Sequence, residues 1–221
     1  MINLQKGQTI DLRKNDRGET FDLSRVTIGL GWDVRQEKKG FFGSIFGSKE
    51  AEYDLDAVAF MLDSNGKVAN LGRTINKGGQ QMGLHESDVV FFNNLRHPSG
   101  HVWLTGDNRT GAGDGDDEQI IALLDYIDPR YEKLLFVVSI YQGRANNQNF
   151  GMIDNAFIRA VDGKGKEIAR YSLSGDATFN GVALMVFAEI YRKDGSWKFR
   201  ALGEPHQTDN FVEILKQYVY Q

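Results

Sequence analysis

The 221-residue chain has no cysteine, only three prolines and no long apolar run. Without cysteine it can form no disulfide framework and no thiol nucleophile, and nothing indicates export. No stretch approaches the roughly 20 apolar residues that a membrane-spanning helix needs. The start, MINLQKGQTIDL, lacks the cationic and then apolar order of a signal peptide. These absences predict a cytoplasmic protein.

Negative charge is concentrated in one short segment, residues 106–118, which reads GDNRTGAGDGDDE. Its five acids and single arginine give a local charge of −4, equal to the formal net charge of the whole chain. The rest of the chain is therefore neutral overall, which indicates an acidic site rather than a generally acidic protein. An acidic site of this kind predicts a cation as partner and no nucleic acid.

This segment, the acidic loop, has the chemistry of a calcium site. Two carboxylates about 4 Å apart repel by roughly 4 kcal/mol at an effective dielectric constant near 20. Its four glycines allow the backbone to turn sharply, so that carboxylates and backbone carbonyls can face one centre. Ca²⁺ accepts six to eight oxygens at about 2.3–2.6 Å with tolerant geometry, whereas Mg²⁺ requires an octahedron. The candidate ligands in the loop are Asp107, Asn108, Gly111, Asp114, Asp116, Asp117 and Glu118.

Two familiar loop types do not fit these residues. An EF-hand loop beginning at Asp107 would place Glu118 correctly at position twelve, but Arg109 would fall at the third position and Ala112 where glycine is required. A phosphate-binding loop is excluded because no lysine follows the glycines and five acids would repel the anion.

Strand patterns dominate the chain and predict an all-β fold, an antiparallel sandwich of two sheets. Val26, Ile28 and Leu30 alternate on one face of a strand at 25–32, and 55–62 is also strand-like. Residues 88–95 and 101–105 are predicted to form a hairpin around Pro98. A barrel is the alternative architecture. The whole chain, 1–221, is interpreted as a single domain.

The second half resembles a weakened copy of the first, as expected for a sandwich built from an internal pseudo-repeat. The Ala59-Phe60 pair precedes a turn, as Ala156-Phe157 does later, and the hairpin 182–202 mirrors 88–105. Asp54-Leu55-Asp56 corresponds to Ile153-Asp154-Asn155, so the second half has fewer carboxylates at the matching positions. This difference predicts that the first half builds the site, at one end of the sandwich.

The C-terminal segment, about 209–220, changes to a helical period. Phe211, Ile214, Leu215 and Tyr218 form an apolar stripe. Asn210 and Glu213 have the spacing of a capping pair. A helix docked on the edge of the sandwich is favoured over one that binds a partner.

Five further residues are candidate ligands of the cation. Asp54 and Asp56 bracket Leu55, so in a strand both carboxylates point to one face. Asp33 lies at a strand end, and Asn93 and Asn94 lie in the FFNNL segment. Local turns in which the side chain bonds to the backbone explain the last three without any ligand.

The acidic loop closely resembles the signature of the TerD family, the tellurite-resistance and bacterial stress proteins. Further similar motifs are GLGWD at 29–33, DLDAVAFMLDSNGKV at 54–68, VVFFNNL at 89–95, NAFIRAVD at 155–162 and WKFRALG at 197–203. The resemblance implies a Ca²⁺-binding β-sandwich with a role in chemical-stress tolerance. It also implies that Asp33, Asp54, Asp56, Asn93 and Asn94 gather near the calcium. It implies no particular reaction, and a chain without cysteine cannot reduce tellurite with its own thiol.

Residues 35–52 depart from the family pattern as a longer and more apolar insertion. Phe41, Phe42, Ile45 and Phe46 lie among glycines and lysines. Such a segment can contact a membrane surface or another protein, or it can fold back over the sandwich.

The sequence therefore predicts a calcium-binding stress protein that docks to protein partners of a stress-response complex. It does not predict an enzyme, because no catalytic constellation is evident: no serine lies in a nucleophile elbow. The alternatives are a metal-dependent hydrolase that uses the acidic loop and a calcium-dependent membrane-docking module. His97 and His101, on either side of Pro98, are also candidates for holding a soft metal.

Overall fold

The computed structural model describes residues 2–15, 17–34, 53–105, 116–173 and 177–220. In this part of the chain two six-stranded sheets face each other, and a separate two-stranded ribbon projects from them. The predicted sandwich is confirmed. In chain order the strands are β1 (Ile2–Leu4), β2 (Thr9–Asp11), β3 (Val26–Val34), β4 (Leu55–Asp63), β5 (Arg73–Lys77), β6 (Gln80–His85), β7 (Val89–Val90), β8 (Val102–Thr105), β9 (Glu118–Ala122), β10 (Tyr131–Ile140), β11 (Ile153–Val161), β12 (Glu167–Ser172), β13 (Leu184–Lys193) and β14 (Ser196–His206).

Each sheet contains strands from both halves of the sequence. Sheet I has the order β1-β12-β11-β3-β9-β8, and sheet II has the order β2-β14-β13-β10-β4-β7. In sheet I, β3 from the first half pairs with β11 from the second, and in sheet II, β4 pairs with β10 in the same manner. All pairs are antiparallel except β1 with β12. The pseudo-repeat is therefore visible in the topology, and its two halves interlock.

The main core lies between the sheets, where alternate residues of each strand point inward. On β3 these are Val26, Ile28, Leu30 and Trp32, all at most 3% exposed. On β4 the intervening residues, such as Val58 and Phe60, face away from this core and belong to a second apolar cluster on the outer side of sheet II. Sheet II is thus buried on both faces along β4.

The predicted C-terminal helix is present, but it covers the outer cluster on the face of sheet II and does not lie on an edge of the sandwich. Helix α1 (Phe211–Leu215) continues into a 3-10 turn, Lys216–Tyr218. The Asn210 side chain accepts a hydrogen bond from the Val212 amide and caps the helix. The Phe211 and Tyr218 rings pack at 6.4 and 6.0 Å from the Phe60 ring. The helix is a structural element of the sandwich.

The predicted hairpin at 88–105 is confirmed only next to its turn. Around Pro98, Arg96 pairs with Trp103, the His97 amide donates to the Val102 carbonyl, and the Leu104 amide donates to the Leu95 carbonyl. The earlier part of the predicted arm differs, because β7 pairs with β4 in sheet II whereas β8 pairs with β9 in sheet I, so the chain crosses between sheets here. Another hairpin nearby, β5–β6, has a Gly78-Gly79 turn with positive φ at both positions and was not predicted. Its strands are mostly exposed and lack the alternation that identifies a half-buried strand.

One end of the sandwich, the acidic end, is defined by the end of β3 and the beginnings of β4, β9 and β11. Register fixes this arrangement, because Val34 is opposite Ile153 and Leu30 is opposite Glu118. The insertion 35–52, with its apolar residues 41–46, lies outside the described residues, so its predicted contacts are not addressed by the structure. Across the described chain, no helix is long and apolar enough to cross a membrane.

Candidate metal site at the acidic end

Three consecutive acids at the start of β9 are held by three different strands. Asp116 pairs with Arg159 on β11. Asp117 accepts a hydrogen bond from the backbone amide of Trp32 on β3. Glu118 accepts one from the backbone amide of Ala57 on β4. The end of the acidic loop is therefore fixed to both sheets.

Asp116 lies on the outer face of sheet I, and its carboxylate is 1% exposed. The Arg159 guanidinium is 2.7 Å away and also contacts Glu167 at 2.9 Å. The hydrogen bond from Arg159 to Asp116 raises the pKa of the guanidinium, and Arg170 with Arg159 lowers the pKa of Glu167. A Cβ atom at Gly29 would overlap the Asp116 carboxylate, so a larger residue at this position on β3 would displace that carboxylate.

Glu118 closes an open edge of the opposite sheet. It stands on β9 in sheet I with a buried side chain, 2% exposed for the whole residue. Its Oε2 lies 2.6 Å from the Ala57 amide, at a point where β4 extends beyond its short neighbour β7. A buried backbone amide must have an acceptor, and the carboxylate supplies it. Glu118 thus joins the two sheets at the acidic end.

The Asp117 carboxylate also accepts a hydrogen bond from a backbone amide, in this case within sheet I. Its backbone amide donates to the Leu30 carbonyl, and its Oδ2 lies 3.0 Å from the Trp32 amide. The side chain continues the ladder between β3 and β9 beyond the last paired residue of β9. A carboxylate offers about four lone-pair positions, so one such hydrogen bond is compatible with a role as metal ligand.

A second acidic group pairs the two halves of the sequence across β3 and β11. Asp33 is directly opposite Asp154. The Asn155 amide donates to Asp33 Oδ2 at 2.7 Å from a left-handed position, φ +53°, at a register shift of β11. Like charges directly opposite each other destabilise a sheet, so a nearby cation would be favourable. The sequence analysis assigned Asp154 to the second half, which has fewer carboxylates, and did not pair it with Asp33. Only the strand register shows that the two residues are opposite each other.

Asp54 and Asp56 share a face, as predicted, but it is not the face of the acids in sheet I. Tyr53, Leu55 and Ala57 point into the main core, so the two aspartates face the outer side of sheet II. Asp54 and Asp56 therefore stand on sheet II and Asp33 stands on sheet I, and their common role as ligands remains a prediction.

The two asparagines also separate. Asn93 is exposed, whereas Asn94 is buried. The Asn94 amide group donates to the Val89 carbonyl at 2.7 Å, and its oxygen accepts from the Glu86 amide at 3.2 Å. Its side chain organises the turn after β7, as the local explanation predicts.

The predicted ligands divide into those that the structure locates and those that it does not describe. Asp107, Asn108, Gly111 and Asp114 lie outside the described residues, and their role remains a prediction. Among the described residues, no group of three or more His, Asp or Glu side chains has the arrangement of a metal site.

An unpartnered donor lies in the interior at the same end. Trp32 is 2% exposed, and its indole Nε1–H has no hydrogen-bond partner among the residues that the structure describes. A buried indole N–H normally has one. The fit to a hydrated cation is good: the carboxylates supply hard oxygen ligands, and the orphan N–H can donate to a bound water.

Sequence reasoning missed a buried polar network at the opposite end of the sandwich. Asp88, His97 and Tyr131 are each at most 3% exposed. Tyr131 donates to Asp88 Oδ1 at 2.7 Å, His97 Nε2 lies 3.1 Å from the same oxygen, and the Asn70 amide donates to Oδ2 at 3.0 Å. No periodicity marks these residues, because they are brought together by the crossing between the sheets.

The network is structural rather than catalytic. His97 Nδ1 accepts from the Ser99 amide at 3.1 Å, so Nε2 carries the proton that is donated to Asp88. Ser99 Oγ is 2.8 Å from Nδ1, in the order of a serine hydrolase triad. The amides of Ser99, Gly100 and His101 are all bonded within this turn, which leaves none of the three to stabilise an oxyanion. The predicted soft-metal pair is wrong, because both His97 nitrogens are engaged and His101 packs against Tyr126.

The chain matches the TerD domain over residues 1–218. It is 55% identical over 218 residues to tellurium resistance protein TerX of Serratia marcescens, with 99% of each chain covered. It is 40% identical to tellurium resistance protein TerD of the same organism, covering 98% of this chain and 96% of the relative. It is 39% identical to stress response protein SCP2 of Bacillus subtilis, with 99% of each chain covered.

Solved structures agree with the fold. A homologue of the telluride resistance protein TerD from Streptomyces coelicolor A3(2) superposes with a TM-score of 0.59 at 22% identity, covering 90% of this chain and 99% of the other. The crystal structure of a protein of unknown function superposes with a TM-score of 0.61 at 21% identity, covering 90% and 98%.

Proposed function

Because this chain belongs to the TerD family of tellurium-resistance and stress-response proteins, we propose that it is a calcium-binding stress protein that acts by binding other components and not by catalysis. The observation that carries the proposal is the anchoring of Asp116, Asp117 and Glu118 to three strands. This anchoring holds one end of the acidic loop rigidly, so the loop can close on a cation with part of its ordering cost already met.

The proposed site combines the loop 106–115 with the rigid residues that follow it. Asp117 and Glu118 supply carboxylate oxygens, and Asp33 with Asp154 adds negative charge at the same end of the sandwich. Asp116 is not a proposed ligand, because its ion pair with Arg159 fixes the end of the loop to β11. Asn94 is not one either, because its side chain bonds to the backbone around β7. One Ca²⁺ would offset two of the four net negative charges of the segment 106–118 and so reduce the repulsion within it.

Tellurium resistance and stress response are the roles printed in the names of the relatives. In a chain without cysteine, resistance by reduction of an oxyanion on its own thiols is excluded. A binding role is consistent with this, and protein partners of a stress-response complex are its proposed targets.

Calcium should raise the melting temperature of chelator-stripped protein. A ligand at a hundredfold excess over its Kd adds about 2.7 kcal/mol to the free energy of unfolding, provided that it binds only the folded chain. For a chain of this length that is a shift of roughly 5–11 °C. Calorimetric titration measures the affinity directly. Identical melting curves with Ca²⁺ and with chelator would contradict the proposal, and an equal shift with Mg²⁺ would identify a different ion.

Charge-removing variants locate the site. Asp117→Asn and Glu118→Gln keep an oxygen that accepts from the Trp32 and Ala57 amides but remove one charge each. Each should weaken calcium binding by roughly tenfold or more, because ligand charge sets calcium affinity over several decades. The matched control is Asp194→Asn, in the exposed β13–β14 turn at the other end, whose φ of +53° asparagine tolerates. Equal losses in the control and the site variants would place the calcium elsewhere.

A further inference from the structure

An exposed methionine stands at the acidic end beside a buried tyrosine. Met152 ends the 3-10 turn Phe150–Met152, directly before β11, and is 42% exposed. Tyr53 lies just before β4, and its hydroxyl donates to the Met152 sulfur at 3.4 Å. Tyr53 itself is 6% exposed. The contact therefore ties the beginnings of β4 and β11 together.

Met152 differs from the other described methionines in its accessibility. Met61 and Met185 are fully buried, and Met82 is half-buried on the β5–β6 ribbon. The chain has no cysteine, so methionine sulfur is its soft nucleophile for two-electron oxidants. Oxidation of methionine follows exposure, which singles out Met152.

We propose that Met152 is an oxidant-modified site of this protein. A peroxide transfers one oxygen atom to the sulfur: the S–O bond forms and the O–O bond breaks. The sulfur loses two electrons, and the leaving hydroxide takes the proton of the transferred hydroxyl and departs as water. The product is methionine sulfoxide.

The Tyr53 hydroxyl gives the modification a structural consequence. A thioether is a weak acceptor, whereas a sulfoxide oxygen is a strong one. In the oxidised protein the hydroxyl donates to the sulfoxide oxygen, so the bond between the beginnings of β4 and β11 becomes stronger. The oxidised state is thereby accommodated at the acidic end without loss of the fold. This inference is independent of calcium binding.

Peptide mapping by mass spectrometry after brief exposure to hydrogen peroxide tests the site. Oxygen should appear at Met152 before Met82, and at least about tenfold faster than at Met61, whose exposure is 1% against 42%. Met152→Leu should abolish the fast phase, and Met82→Leu should leave it unchanged. Oxidation of Met82 at an equal or higher rate would overturn the proposal.

A second measurement tests the role of the hydroxyl in the same experiment. The difference in melting temperature between oxidised and reduced protein is measured for the wild type and for Tyr53→Phe. Without the hydroxyl the sulfoxide has lost its donor, so oxidation should lower the melting temperature more in Tyr53→Phe than in the wild type. Comparison within each background cancels other effects of the substitution. An equal shift in both backgrounds would overturn the proposal.

Discussion

Gly29→Ala should lower the free energy of unfolding by about 3 kcal/mol and disturb the acidic end. The added methyl group would occupy the space of the Asp116 carboxylate on the outer face of sheet I. The carboxylate must then leave Arg159; in this ion pair the Asp116 side chain is 1% exposed and the Arg159 side chain 25%. Overpacking costs about 1–3 kcal/mol, and breaking a buried ion pair about 3–5 kcal/mol. Urea denaturation measures the loss.

The matched control is Gly83→Ala on β6. This strand glycine also has no left-handed φ, and its added methyl group would meet only Thr74 Oγ1 at 4.0 Å. It should change stability by less than about 0.5 kcal/mol, as most surface substitutions do.

A double-mutant cycle tests the mechanism of the Gly29 effect. If the methyl group acts by displacing Asp116, Gly29→Ala should cost little in a chain that already carries Asp116→Ala. The coupling free energy should then be roughly 1–3 kcal/mol, as for residues in direct contact. Additive losses would contradict the mechanism. Under the proposed function, Gly29→Ala should also weaken calcium binding, because Asp117 and Glu118 follow the displaced residue.

Asp88→Asn should lower the free energy of unfolding by about 2–4 kcal/mol. The Asp88 carboxylate accepts from Tyr131, His97 and the Asn70 amide in a site that is 1% exposed. An asparagine offers one accepting oxygen and turns an NH₂ group toward a donor, so at least one buried donor loses its acceptor. Each such loss costs about 1–3 kcal/mol. Denaturation at neutral pH measures the difference, with the exposed Asp128→Asn as control.

The same network should contribute to unfolding by acid. Burial by itself would raise the pKa of Asp88, but the donations from His97, Tyr131 and Asn70 outweigh it and hold the pKa below its usual value of 3.8. A depressed folded-state pKa gives stability that is complete above the unfolded-state pKa and is lost as the pH falls through the folded-state pKa. Asp88→Asn should therefore flatten the stability profile below about pH 4. An unchanged acid limb would show that the pKa of Asp88 is the same in the folded and the unfolded chain.

Strand positions and the C-terminal helix could be predicted because an element with one buried face has apolar residues at the regular spacing of a strand or a helix. Val26, Ile28 and Leu30 alternate because only one face of β3 meets the main core, and the stripe at Phe211 is helical because it covers sheet II. The β5–β6 ribbon was not predicted because its strands are mostly exposed. Without a buried face, its sequence has no alternation of apolar and polar residues.

The sequence by itself determined that the chain is an all-β protein with one strongly acidic loop, since alternation and charge are local properties. Only the tertiary structure decided which acids stand together. Asp33 lies opposite Asp154 in sheet I. Asp54 and Asp56 lie on the outer face of sheet II. Asp116 forms an ion pair with Arg159. The crossing that gathers Asp88, His97 and Tyr131 was likewise invisible in the sequence. These contacts depend on strand register and sheet order, and a shift of one residue would turn every side chain of a strand to the other face.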